Sequence, residues 1–197
     1  MVITDINQLD PNGSYTYTDY MSWRFDEYVE LIKGKIFRMS PAPTVKHQKI
    51  SMRLTGRLYN ALPNNGCQLF AAPFDVRLDR NNKKKGENER TVVQPDLCVI
   101  CDASKLDEQG CDGAPDLIIE ILSPGNSKKE MKDKFAVYEE SGVREYWLVH
   151  PTEKTVIVYT LNEQGQYIGS RPYTDDDTLT TPIIPALELV LHEVFED

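Results

Sequence analysis

The sequence predicts an α/β fold, an α+β arrangement on a mixed sheet, whose core runs helix, strand, strand, strand, helix, strand. Three observations predict it. Residues 113–151, GAPDLIIEILSPGNSKKEMKDKFAVYEESGVREYWLVHP, read as a buried strand, a tight turn, an amphipathic helix and a second buried strand, which is one βαβ unit. Residues 44–62 place His47, Ile50, Leu54, Leu58 and Ala61 on one helical stripe. Residues 67–79 and 91–101 alternate as strands between these two.

The remaining elements follow in chain order. Residues 1–20 carry turn residues at Pro11, Asn12 and Gly13 and no clear period, so an N-terminal arm is expected, reaching to residue 24. EYVELIKGKIFRM at 27–39 holds two short apolar strands about Lys33-Gly34, the composition of a hairpin, with Glu30 in the first strand. Ser40-Pro41-Ala42-Pro43 breaks the chain before the helix, and Pro63 with Asn64-Asn65-Gly66 ends it. His47 on that stripe reads first as a core histidine and second as a catalyst. The strand at 67–79 bends near Ala72-Pro73, and the one at 91–101 is broken by Pro95. Proline cannot donate to the ladder, so Asp96 beside it is placed to turn into a pocket. After the βαβ unit, 155–161 and 166–173 read as strands, Asp175-Asp176-Asp177 as a solvated turn, and 178–181 and 186–197 as short terminal elements. One domain over 1–197 is expected, with its core at about 25–161 and extra C-terminal strands at 162–197.

The chain has 197 residues and a net charge of −9, which argues against tight nonspecific binding to nucleic acid. Lys83, Lys84 and Lys85 form a local basic patch that reads as a solvated loop. There is no 18-residue apolar run and the N-terminus MVITDINQLDPNG is polar, so a cytoplasmic chain without membrane span or signal peptide is expected. Cys67, Cys98, Cys101 and Cys111 form no dense framework, and reduced thiols are expected. Cys98 and Cys101 make a CxxC without the second pair that a zinc ribbon needs.

Glu120 lies inside an apolar run, where an ionised carboxylate is expensive unless paired. Alternation puts Asp116, Ile118, Glu120 and Leu122 on one face of that strand and Leu117, Ile119 and Ile121 on the other. In the helix that follows, Ser127 with Glu130 fits a capping box, and Met131, Lys134, Phe135 and Tyr138 share a face. Lys134 is a cation on the stripe that faces the sheet. If neighbouring strands pair, Asp96 and Glu120 meet at one sheet position, and two carboxylates there call for a cation. Oxygen ligands suit Mg²⁺ or Mn²⁺, which lower the pKa of bound water and stabilise phosphoryl charge. Lys134 would position the water or offset the same charge, and the helix N-terminus at Ser127 to Lys129 favours an anion. Asp116 competes with Asp96 but stands four residues from Glu120, about 13 Å along a strand. In the alternative, Glu120 is a structural acid paired to Lys134, or Lys134 pairs with Glu130 one turn earlier.

QPD at 94–96, GAPDLIIEILSP at 113–124, Lys134 with Tyr138, and GVREYWLVHP at 142–151 together resemble the Uma-type restriction endonucleases of the PD-(D/E)XK nuclease superfamily. YVELIKGKIFRMSPAP and the HQKIS beginning at His47 extend the likeness to roughly 25–161. The resemblance implies a restriction-endonuclease-like αβββαβ core and a divalent-metal phosphodiesterase in which Asp96 and Glu120 are metal ligands. The superfamily lysine usually stands two residues after the acid, a position held here by Leu122; Lys134 matches the lysine that the family carries on the helix. Glu30 matches an acidic position and is an auxiliary candidate, as are His47, Asp116, Glu130 and Tyr138. Glu130 and His150 stand where the family often has aspartate. A metal-dependent nuclease acting on DNA is therefore expected, as a homodimer if it cuts both strands of a duplex. The rivals are a catalytically silent scaffold used for binding or assembly, and a hydrolase of a small phosphorylated substrate.

Overall fold

The computed structural model describes residues 2–39, 43–62, 66–78, 90–123 and 128–196. In chain order the elements are α1 (Tyr17–Ser22), β1 (Val29–Ile32), β2 (Lys35–Arg38), α2 (Val45–Ala61), β3 (Gln68–Ala71), β4 (Val76–Arg77), β5 (Val92–Val93) and β6 (Leu97–Ile100). Then come β7 (Leu106–Asp107), β8 (Gly110–Asp112), β9 (Leu117–Ile121), α3 (Lys128–Ser141), β10 (Glu145–His150) and β11 (Thr155–Leu161). β12 (Tyr167–Gly169), β13 (Tyr173–Thr174), β14 (Thr178–Leu179), β15 (Leu189–Val190) and α4 (Leu191–Phe195) complete the chain.

Among the described residues, seven strands form a mixed sheet in the order β12-β11-β10-β9-β6-β3, with β13 also on β11. β9 and β10 are parallel, because α3 carries the chain back between them, and their other neighbours are antiparallel. A second sheet has the order β2-β1-β5-β4-β8-β7, and β14 pairs with β15. α2 lies on one face of the large sheet: Ile50, Leu54 and Leu58 pack with Leu97, Leu117, Ile119 and Trp147, and α4 joins them through Leu191 and Phe195. α3 and the small sheet cover the other face, where Val137, Tyr138, Val76 and Val93 meet Cys98, Ile118 and Leu148. The mixed α/β fold expected from the sequence is thus present, with a second sheet added.

Local chemistry explains the element ends. Lys33 and Gly34 both have positive φ (50° and 78°), the conformation that a two-residue hairpin turn matching strand twist requires. Thr44 caps α2 by accepting from the His47 amide at 3.2 Å. The arm is more ordered than its sequence suggested. Thr16 and Asp19 form a capping box for α1, and Leu9, Tyr17 and Trp23 pack on Leu31 and Val92.

Two other expectations change. Residues 67–79 are not one bent strand: β3 belongs to the large sheet and β4 to the small one, with the chain crossing over at Ala72-Pro73. Residues 91–101 do the reverse, β5 in the small sheet and β6 in the large, crossing at Pro95. Nor are all four thiols free, since Cys67 and Cys101 form a disulfide. The reason is register: Gln68 pairs with Ile100, and one more step brings residues 67 and 101 face to face. Cys98 and Cys111 remain as buried thiols. The Lys83–Lys85 run and the Ser127 cap lie outside the described residues, as does the side chain of Glu130. Among the described residues no helix is long and apolar enough to cross a membrane.

Candidate active site

The site forms where the two sheets part. Leu97 pairs with Ile119 in the antiparallel β6–β9 ladder, so one further step sets Asp96 opposite Glu120. Asp96 stands just past the end of the β6–β9 ladder, and its carboxylate gives the next β9 amide an acceptor: Oδ2 accepts from the Ile121 N–H at 2.7 Å. Its Oδ1 faces His47 Nε2 at 3.2 Å. Glu120 points to the α3 face, where Tyr138 OH donates to Oε1 at 2.6 Å and Lys134 Nζ lies 3.0 Å from the same oxygen. Lys134 Nζ also lies 2.9 Å from Glu30 Oε1, and Glu30 in turn accepts from the Gln94 amide at 2.8 Å. Glu30 is 1% and Lys134 6% exposed, so this ammonium is buried between carboxylates of two different sheets.

Burial and charge compete at each group. For Glu120, burial raises the pKa and the charges of Asp96 and Glu30 add to it, outweighing the lowering by Lys134 and the Tyr138 hydroxyl. For Lys134 burial alone would lower the pKa, but Glu120 and Glu30 more than reverse it, so the ammonium stays charged. For His47 burial also lowers the pKa, and the hydrogen bond and charge of Asp96 overcome it and raise the imidazole above its ordinary value. Tyr138 is pushed well up by burial and by Glu120, and so remains a neutral donor.

Asp96, Glu120, Lys134 and His47 floor a cavity of about 430 Å³, with Glu30 and Tyr138 buried behind them. Tyr28, Met39, Met52 and Pro73 give it apolar walls. Buried His47 Nδ1 and Gln94 Oε1 have no hydrogen-bond partner among the described residues. No group of three His, Cys, Asp or Glu side chains is gathered to hold a metal among those residues. What the cavity offers is the oxygen pair Asp96 and Glu120. That donor set fits Mg²⁺ or Mn²⁺, which are held by one or two carboxylates and complete their shell with water and phosphate oxygens.

Of the residues singled out in the sequence, Asp96, Glu120, Lys134, Glu30, His47 and Tyr138 come together. Asp116 does not: it sits at the far end of β9, accepting from the Cys101 amide at 2.8 Å and paired with Arg144 at 3.0 Å. Gln94 was visible only as a letter of QPD. Its backbone N–H donates to Glu30, and its side-chain Nε2 donates to Asp75 at 2.7 Å and to Tyr20 OH at 3.1 Å, tying the arm to the site. Its place two residues before Asp96, across the Pro95 that interrupts the segment, was the available signal.

Residues 17–192 match the family described as "Uma2: Putative restriction endonuclease". This bears out the likeness read from QPD, GAPDLIIEILSP and GVREYWLVHP. "Uncharacterized protein slr1290" of Synechocystis sp. (strain ATCC 27184 / PCC 6803 / Kazusa) is 25% identical over 153 residues, 76% of either chain. A crystal structure described as "a putative nuclease belonging to DUF820" from Anabaena variabilis ATCC 29413 superposes with a TM-score of 0.70. The match covers 92% of this chain and 97% of that one, at 23% identity, and so concerns the fold.

Proposed function

The chain belongs to the Uma2 family, and we propose that its cavity hydrolyses phosphodiester bonds of DNA with Mg²⁺ or Mn²⁺ held by Asp96 and Glu120. Family and fold support a nuclease-type function. The finer reading rests on one observation: Asp96 and Glu120 stand opposite each other across adjacent strands, with the buried Lys134 ammonium against Glu120. A cation bound there would supply a hydroxide nucleophile near neutral pH and offset phosphoryl charge. The chain's own residues do the rest. Lys134, fixed by Glu30 and Glu120, presents a permanent positive charge to the phosphate as negative charge builds on its oxygens. Tyr138 orients the Glu120 carboxylate by donating to Oε1. His47 Nε2, 3.2 Å from Oδ1, and the Ile121 amide on Oδ2 hold the Asp96 carboxylate by its two oxygens. In the reaction a water oxygen bonds to phosphorus, the bond to the departing sugar oxygen breaks, and that oxygen takes up a proton.

The test is cleavage of plasmid and oligonucleotide DNA with each metal, beside Asp96→Asn and Glu120→Gln, with folding checked by circular dichroism. Cleavage reduced at least ~10³-fold in folded variants is expected, the scale of losing a main charge-stabilising contact. No cleavage by the wild-type chain with either metal overturns the reading. One observation favours a catalytically silent scaffold instead, namely that Lys134 already occupies Oε1 of both Glu30 and Glu120. Calorimetry separates the two, since a scaffold of that kind takes up no Mn²⁺ that depends on Glu120.

A further inference from the structure

Among the described residues, α2 leaves one face uncovered. Its buried stripe is His47, Ile50, Leu54 and Leu58. On the opposite side Val45, Met52 and Tyr59 are 75, 68 and 70% exposed. They are seven residues apart, close to two turns, and make one apolar ridge along the helix about 21 Å long. Tyr28, 64% exposed, stands on the wall of the active-site cavity, which Met52 also lines. Gln48, Ser51 and Thr55, on one flank of the ridge, line the same cavity, so ridge and site are continuous. The other flank is basic: Lys46, Lys49, Arg53 and Arg57 share it, and Val45–Ala61 contains no carboxylate, in a chain of net charge −9. α4 takes the two arginines, Arg57 by an ion pair with Glu193 and Arg53 by hydrogen bonds to the carbonyls of Val194 and Glu196. Lys46 and Lys49 are exposed and have no ion-pair partner among the described residues; they edge a hollow of about 270 Å³ that Glu196 also lines.

We propose that single-stranded nucleic acid lies along this ridge, its bases on Tyr59, Met52 and Tyr28 and its phosphates toward Lys46 and Lys49, and passes from it into the cavity. The inference rests on the nuclease reading for what happens in the cavity. An apolar crest between a cationic flank and a hydroxyl-and-amide flank matches the exposed base faces and charged backbone of a single strand. A duplex hides its base faces and would meet the crest with phosphate and sugar alone. A second copy is the other occupant an apolar ridge invites. Two-fold pairing of α2 with itself would set its cations against their equals, with no carboxylate on the helix to relieve them.

The test is fluorescence anisotropy at low salt in the presence of a chelator, with labelled oligo(dT) and oligo(U) of about 12 nucleotides and a hairpin duplex as probes. Wild type is compared with the double variant Lys46→Ala, Lys49→Ala and with Tyr59→Ala, all with exposed side chains. Single strands are expected to bind more tightly than the duplex, with the DNA and RNA probes together naming the strand preferred. The double variant is expected to flatten the dependence of log affinity on log salt by about 1.4, for two phosphate contacts on a single strand. Tyr59→Ala is expected to weaken single-strand binding ~10-fold and leave the salt slope unchanged, as loss of a stacked base does. The proposal is overturned if the duplex binds as tightly as single strands, or if neither variant changes binding. It is also overturned if wild type sediments as a dimer that Tyr59→Ala converts to monomer, since a second copy then covers the ridge. A cleavage assay run alongside separates this from the nuclease reading. Binding as described without cleavage in Mg²⁺ or Mn²⁺ sinks only the latter, and cleavage with KM unchanged in both variants sinks only the ridge.

Discussion

At the scale of single residues the decisive group is Lys134, whose ammonium answers two carboxylates at once. Its removal leaves Glu30 and Glu120 buried with nothing positive between them. Lys134→Met is therefore expected to cost about 3–5 kcal/mol in urea unfolding, and Lys134→Met with Glu30→Gln distinctly less than the sum of the two single changes. Proton linkage gives a second expectation. Glu120 and His47 both have folded pKa values above their ordinary ones, so the folded chain binds protons more tightly than the unfolded chain and stability falls as pH rises. Glu120 gives this loss from pH 4.5 upward to its raised value. His47 contributes fully below pH 6.5 and loses its contribution as pH passes through its folded value. Thermal unfolding followed against pH is expected to show a shallower decline above pH 6.5 in His47→Gln than in wild type. Lys134 was legible in the sequence because a cation on an apolar stripe is an exception that needs a reason. Glu30 was legible only through the family likeness, since in an alternating strand it resembles any solvent-facing acid; in the fold it is buried, its carboxylate on Lys134 of α3 and on the Gln94 amide.

At the scale of elements, α2 and the βαβ unit were readable because each carries its own period. The split of 67–79 and 91–101 between two sheets was not. Alternation runs on through Pro73 and Pro95, and what changes there is the hydrogen-bonding partner, which alternation does not encode. The same crossings put Asp96 at a ladder end, where its carboxylate can receive the Ile121 amide. Register also made the disulfide, which fastens β3, the edge strand of the large sheet, to β6. Alkylation of the unfolded, unreduced chain is expected to label Cys98 and Cys111 and spare Cys67 and Cys101. Reduction, which opens a loop spanning a sequence separation of 34, is expected to lower stability by about 3–4 kcal/mol.

For the molecule as a whole, net charge spoke against wide polyanion binding, and it did not reveal that one helix holds four cations and no carboxylate. The small sheet stayed hidden for a different reason: most of its strands have two or three residues, too short to set a period, and they come together from distant parts of the chain. We propose that arm, core and C-terminal segment fold as one unit. The arm joins the site through Tyr20, Asp75 and Gln94. The C-terminal segment is tied to β10 where Glu145 accepts from Thr181 at 2.9 Å, and to α2 where Leu191 and Phe195 pack. Calorimetric and circular-dichroism unfolding are then expected to coincide in a single transition, and separate steps would divide the chain.

Lys134 is held at two points, one on each layer, and this has a mechanical side. Sliding one sheet past the other must stretch an ammonium–carboxylate contact, so the alignment of the layers and the electrostatic state of the cavity are locked to each other. A ligand that draws the Glu120 carboxylate away from the ammonium loosens the joint between layers on that side alone. Glu30, the other anchor, then keeps both the ammonium and the Gln94 amide, so the small sheet holds Lys134 in place while the large sheet's hold on it is released.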